Sequence, residues 1–128
     1  MRKTILIVDD EAGIRDMLRF CLERSEFNIV TAHDGTEATA LLMAGGIDLM
    51  VTDITMPHLG GLGLLEIAAG TSPKTPAIVM TGFGTVEMAV HAMKLGASDF
   101  LLKPFDVHLL AALIQKTLKA GKDSPKSP

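Results

Sequence analysis

Five short apolar runs rich in β-branched residues recur along the chain, each followed by a helical pattern, and this alternation restricts the fold more than any other feature. The runs are Thr4 to Val8, Asn28 to Ala32, Leu49 to Thr52, Ala77 to Thr81 and Asp99 to Leu102. Apolar residues between and after them return about every 3.6 positions: Ile14, Met17, Leu18, Cys21 and Leu22, then Val86, Ala89, Val90 and Met93, and finally Leu110, Leu113, Ile114 and Leu118. Shorter patterns lie at Ala38, Leu41 and Leu42 and at Leu64, Leu65 and Ala68. Asp34 to Glu37 reads as a helix start with a capping acid, Gly60-Gly61 precedes the third pattern, and Gly96 stops the fourth. Runs this apolar suit strands buried on both faces, and parallel neighbours need right-handed crossovers, which helices supply. The expected fold is a doubly wound (βα)5 three-layer α/β sandwich on a five-stranded parallel sheet, one domain over residues 1–120. Residues 121–128 are polar, contain two prolines, and read as a disordered tail or the start of a linker.

Composition narrows the function. With 12 basic and 15 acidic residues, a net charge of −3 and no basic run, the chain is not expected to contact nucleic acid or an anionic membrane directly. The one cysteine, Cys21, falls on an apolar helical position and is expected to be buried and inert. No disulfide framework can form, and the apolar run after Arg2 and Lys3 ends at Val8, too short for a signal peptide or a membrane span. A cytoplasmic location is the expectation.

In an open parallel sheet, ligands bind beyond the carboxyl ends of the strands. Here those ends carry Asp9, Asp10 and Glu11 after the first run, Asp53 after the third, Thr81 and Gly82 at the fourth, and Lys103 and Pro104 after the fifth. Taken singly, each has an ordinary structural explanation: a helix N-cap, a turn residue, a solvated charge. Their arrival on one rim is what points to chemistry. Clustered carboxylates repel one another unless something positive lies among them, and Mg²⁺ is held by one or two carboxylates together with phosphate oxygens. Asp9, Asp10 and Asp53 suit Mg²⁺, or Mn²⁺ in its place. Asp53 can then serve as a carboxylate nucleophile toward phosphorus, with Thr81 and Lys103 binding the phosphoryl oxygens and Gly82 leaving room for the group.

VDDE at 8–11, DITMP at 53–57, TG at 81–82 and DFLLKPF at 99–105 together resemble the receiver domain of two-component response regulators. The resemblance spans residues 3–119, and the run from Thr81 to Phe105 is most similar to receivers of the nitrogen-regulation type, which usually precede an ATPase and a DNA-binding domain; stand-alone chemotaxis receivers share the motifs. It implies a flavodoxin-like sheet of order 2-1-3-4-5. It further implies that Asp53 accepts the phosphoryl group, that Asp9, Asp10 and the Thr55 carbonyl complete the metal pocket, and that Thr81 and Phe100 are the switch residues. The Lys103–Pro104 bond is implied to be cis. Phe100 stands where tyrosine is commonest, so burial on switching is implied and a hydroxyl contact is not. The implied partners are a sensor histidine kinase or histidine phosphotransfer protein as donor, and an output partner or tethered effector domain on the face of the fourth helix, fifth strand and fifth helix. A homodimer formed on phosphorylation is compatible with that face. No separate substrate turnover is expected.

Three rivals fit less well. An aspartyl-phosphate hydrolase of the haloacid-dehalogenase type needs its nucleophile after the first strand with a second Asp two residues on, whereas Asp53 follows the third and precedes Ile54-Thr55. A flavodoxin-like cofactor binder needs a Ser, Thr and Gly loop where this chain has three acids. A structural module that takes no phosphate has no reason to keep the whole set. His33, His58, His91 and His108 are scattered without ligand spacing and are expected on the surface, so the donor histidine belongs to a partner. Several of the eight methionines fall on apolar helical positions and are expected in the core, with Met88 and Met93 beside the output face.

Overall fold

The computed structural model describes residues 2–54, 60–72, 74–82 and 86–123. Five strands alternate with five helices: β1 (Thr4–Val8), α1 (Ala12–Glu23), β2 (Asn28–Ala32), α2 (Gly35–Ala44), β3 (Leu49–Asp53), α3 (Gly61–Thr71), β4 (Ala77–Thr81), α4 (Val86–Lys94), β5 (Asp99–Leu102) and α5 (Val107–Asp123). The strands form one parallel sheet in the order β2-β1-β3-β4-β5. Because all run the same way, every strand delivers its last residues to one rim.

Alternation along the strands divides the core into two layers. Ile5 and Ile7 of β1, Val51 of β3 and Ile78 and Met80 of β4 face Leu18 and Leu22 of α1 and Leu110 and Ile114 of α5. Leu6, Val8, Met50 and Val79 face Ala38 and Leu42 of α2, Leu64 and Ala68 of α3, and Ala92 of α4. β3 and β4 are buried along their whole length, as interior parallel strands covered on both faces must be.

Local signals explain where the helices start and stop. Asp34 is the N-cap of α2, its carboxylate accepting from the Glu37 backbone N–H at 2.8 Å, while Glu37 Oε1 accepts from the His33 backbone N–H at 2.7 Å. This is a capping box shifted by one residue: Asp34 satisfies a helix N–H, and Glu37 reaches back to the N–H of the residue before the cap. Gly96, at φ +104°, follows α4 in a conformation that glycine adopts without a Cβ penalty. Glu26, at φ 69°, takes a left-handed turn between α1 and β2 without that freedom.

Several expectations need correction. The apolar stripe of α4 is present but faces outward: Val86, Val90 and Met93 are exposed and Ala92 is the buried residue. The fully buried methionines are Met50 and Met80 on strands; on the helices Met88 is half-buried and packs against the core, whereas Met17, Met43 and Met93 are exposed. Cys21 is half-buried, on the flank of α1 beside Leu18 and Leu22. His33 pairs with acids on both sides, Nδ1 lying 2.6 Å from Glu37 and Nε2 3.3 Å from Asp34. His33, His91 and His108 are all exposed, as expected, and His58 lies outside the described residues. The backbone of α5 runs from Val107 to Asp123.

Candidate functional site

Asp9 lies immediately beyond β1 and is fully buried. A buried carboxylate needs partners for its oxygens, and each has one. Oδ1 accepts from the Glu11 backbone N–H at 2.9 Å, and Oδ2 accepts from Lys103 Nζ at 2.8 Å. The main chain is held as well, Asp9 N–H donating to the Ala32 carbonyl at 3.2 Å and the Asp9 carbonyl accepting from Arg15 Nη1 at 2.7 Å. Asp53, the last residue of β3, is 5 % exposed, and its Oδ2 accepts from the same Lys103 ammonium at 3.2 Å. Asp10, by contrast, is exposed.

Lys103 therefore supplies the positive charge that the acidic rim requires. Its backbone N–H also donates to the Thr81 carbonyl at 2.8 Å, which fixes the start of its side chain against the end of β4. Burial is the largest influence on its pKa and pushes it down. The hydrogen bond and charge of Asp9, followed by the charge and hydrogen bond of Asp53, outweigh that loss, so the ammonium stays protonated beyond its usual 10.5.

Carboxylate oxygens of Asp9, Asp10 and Asp53 come within 4.8 Å of one another. Oxygens bound to one Mg²⁺ at about 2.0–2.1 Å sit roughly 3–4 Å apart, so a small inward movement, chiefly of exposed Asp10, brings this set onto a single hard cation. An all-oxygen, all-carboxylate donor set suits Mg²⁺ or Mn²⁺ and disfavours softer metals. Thr55, whose carbonyl is the remaining ligand implied by resemblance, lies outside the described residues.

Thr81 is fully buried at the end of β4, and Gly82 follows it at the surface, where an added Cβ would meet nothing within 4 Å. Among the described residues, the space beside Gly82 is thus open. Gly82 and Lys103 line a cavity of about 380 Å³ with Ile14, Met17, Pro104 and Phe105, so the mouth beside the acids has an apolar wall. The Lys103–Pro104 bond is cis.

Phe100 does not join this cluster. It is half-buried in β5, paired with Val79, and contacts the core layer under α2, α3 and α4. It borders a larger cavity of about 700 Å³, together with Val86, Ala89, Pro104 and Leu109, on the face of α4, β5 and α5. Pro104 and Phe105 line both cavities, so the segment after Lys103 joins the acidic rim to that face. Arg15, absent from the sequence-derived candidates, is the further residue that the structure adds to the site. Its signal was weak, a lone cation on the helix that begins beside the acids, but helical side chains lean toward the N-terminus and a long one there can reach back over a turn.

Comparison with known proteins bears on the family and the fold. Residues 5–115 match the family described as response regulator receiver domain. The transcriptional regulatory protein FixJ of Bradyrhizobium diazoefficiens is 37% identical over 123 residues, covering 96% of this chain and 60% of that protein. The response regulator protein PilR of Pseudomonas aeruginosa is 37% identical over 118 residues, covering 92% of this chain and 26% of that protein. The chain thus spans between about a quarter and three-fifths of these relatives. Among solved structures, a receiver domain protein (CheY-like) from Methanospirillum hungatei superposes with a TM-score of 0.93 at 29% identity, covering 98% of this chain and all of that one. NtrX from Brucella abortus gives 0.89 at 34% identity, covering 95% of this chain and 28% of that one.

Proposed function

This chain belongs to the response regulator receiver domain family, and from that premise we propose that it is a signalling switch phosphorylated on Asp53. The observation that carries the proposal is the shared rim: Asp53 and Asp9 on one Lys103 ammonium, with Asp10 within metal-sharing distance. Asp9, Asp10, Asp53 and the Thr55 carbonyl are the residues that hold Mg²⁺, or Mn²⁺ in its place. When bound, the ion offsets the carboxylate repulsion and neutralises charge on the phosphoryl oxygens.

An oxygen of Asp53 attacks phosphorus in line. The new O–P bond forms as the P–N bond to the imidazole of a partner's phosphohistidine breaks, and that nitrogen keeps the bonding pair. Lys103 and the Thr81 hydroxyl receive the phosphoryl oxygens, and the open space at Gly82 admits them. The acyl phosphate is lost by hydrolysis on the same protein, with no separate substrate turned over. The donor is a sensor histidine kinase or histidine phosphotransfer protein, and the setting is the cytoplasm. Among the described residues no helix is long and apolar enough to cross a membrane.

Energetics favour a population shift over a rigid flip. Charge-assisted hydrogen bonds from Thr81 and Lys103 contribute ~1.5–3 kcal/mol each, against ~5.5 kcal/mol for a swing from 1:99 to 99:1. Lys103 already holds two carboxylates, so its contribution to the phosphorylated state is only the difference between old and new partners. The unphosphorylated protein therefore samples the active state, and an output partner completes the change. Thr81 moves toward the phosphoryl group, Phe100 turns inward, and the face of α4, β5 and α5 is reshaped for an output partner, a tethered effector domain or a second copy. The greater length of FixJ and PilR favours the tethered arrangement.

The test is incubation with Mg²⁺ and a small phosphodonor, followed by mass spectrometry. Wild type is expected to gain one Mg²⁺-dependent phosphate, and Asp53→Asn none. Labelling that survives Asp53→Asn, or proceeds without a divalent cation, refutes the proposal.

A further inference from the structure

Resting on the reading of Asp9, Asp10 and Asp53 as the Mg²⁺ pocket, we infer that Arg15 is a positioning residue for that pocket, acting through the peptide that joins Asp9 to Asp10. Arg15 Nη1 donates to the Asp9 carbonyl at 2.7 Å, and Arg15 is half-buried beside the rim. The Asp9 carbonyl and the Asp10 N–H belong to one planar unit, so a bond that fixes the oxygen also fixes the direction in which the chain enters Asp10. The Asp9 side chain is already held by Glu11 N–H and Lys103, whereas Asp10 is exposed. Asp10 is therefore the acid whose aim depends most on the backbone.

Beyond the Glu11 N–H held by Asp9 Oδ1 at 2.9 Å, the start of α1 adds no capping support to that backbone. Its N-cap, Glu11, makes no side-chain capping bond, and its first turn contains no acid. Gly13 in that turn has nothing within 4 Å of where a Cβ would stand, so packing does not brace it. Arg15 ties α1 to the acidic loop from within the helix, reaching back over the first turn as helical side chains do.

Two effects of the guanidinium oppose each other. As a nearby positive charge it disfavours a dication, and as an anchor it favours one by holding Asp10 in place. The burial of the Asp9 peptide and the shortness of the bond make the anchor the stronger of the two.

Calorimetric titration of Mg²⁺ alone into wild type, Arg15→Met and Arg15→Lys separates these effects. Arg15→Met keeps the aliphatic stem and removes the donor. It is expected to weaken Mg²⁺ binding by about 10-fold or more, the usual cost of losing a group that orients a ligand. Arg15→Lys, which restores a donor, is expected to return to within a few-fold of wild type. Unchanged or tighter Mg²⁺ binding by a folded Arg15→Met would show a counter-charge and overturn the inference, as would failure of lysine to rescue. If Arg15→Met does not fold, Arg15→Gln, which keeps an N–H donor at shorter reach, is titrated instead, and the same weakening is expected because glutamine falls short of the Asp9 carbonyl. A folded wild type without Mg²⁺ affinity sinks the metal reading itself, a different result from any of these.

Discussion

Lys103 shows how much one side chain can settle. Its ammonium joins Asp9 and Asp53, two carboxylates that face water hardly at all, and removing one member of such a group leaves charge uncompensated in a poorly solvated place. Lys103→Met is expected to cost about 3 kcal/mol in chemical unfolding followed by circular dichroism, in line with other broken buried pairs, and added Mg²⁺ is expected to recover part of it. The folded pKa of Lys103 lies above its unfolded value, so the folded state holds the proton more tightly. That stabilisation is complete below about pH 10.5 and disappears as the pH climbs through the higher folded value. Thermal midpoints measured from about pH 9 to pH 12 are expected to fall more steeply for wild type than for Lys103→Met. Parallel slopes would mean that the two carboxylates do not hold this proton. The positions of Asp9, Asp53 and Lys103 at strand ends were legible in the sequence. Their shared ion pair was not, because a side-chain contact between residues 94 positions apart leaves no local pattern.

At the scale of elements, local chemistry and burial were unequally readable. The capping box at Asp34 and Glu37 could be read directly because its partners lie three residues apart. Asp34→Ala is expected to lower stability by about 0.5–2 kcal/mol, measured by urea denaturation, while Mg²⁺ affinity stays unchanged because the box lies at β2 and off the acidic cluster. The outward stripe of α4 could not be read the same way. Periodicity gives the width of an apolar stripe and says nothing of what stands opposite. α4 covers the sheet beside β5, a four-residue edge strand, and there Ala92 and half-buried Met88 supply the contact while Val86, Val90 and Met93 remain outside. The methionines followed the same rule: those on strands sit between two layers, and those on helices have one side in water. Element boundaries, in contrast, follow the apolar runs almost residue for residue, with β3 lengthened by Asp53, because a doubly covered strand must be apolar throughout.

For the whole molecule, strict alternation of strand and helix was enough to give a parallel three-layer sandwich, while the order β2-β1-β3-β4-β5 came from resemblance and not from periodicity. A ligand that binds the folded state alone raises the stability of the entire domain. At Mg²⁺ concentrations near 100 times the dissociation constant, unfolding is expected to cost about 2.7 kcal/mol more, and Asp10→Asn is expected to lose most of that increment in parallel melts. The Lys103 bridge reaches across the fold as well, since it closes a contact between the end of the first strand and the end of the last. During synthesis the chain emerges from its N-terminus, so Asp9 and Asp53 leave the ribosome long before their cation does. A nascent or truncated copy ending before residue 103 has both carboxylates without the ammonium that joins them, so the charge balance of this rim is complete only when translation of the domain is nearly finished.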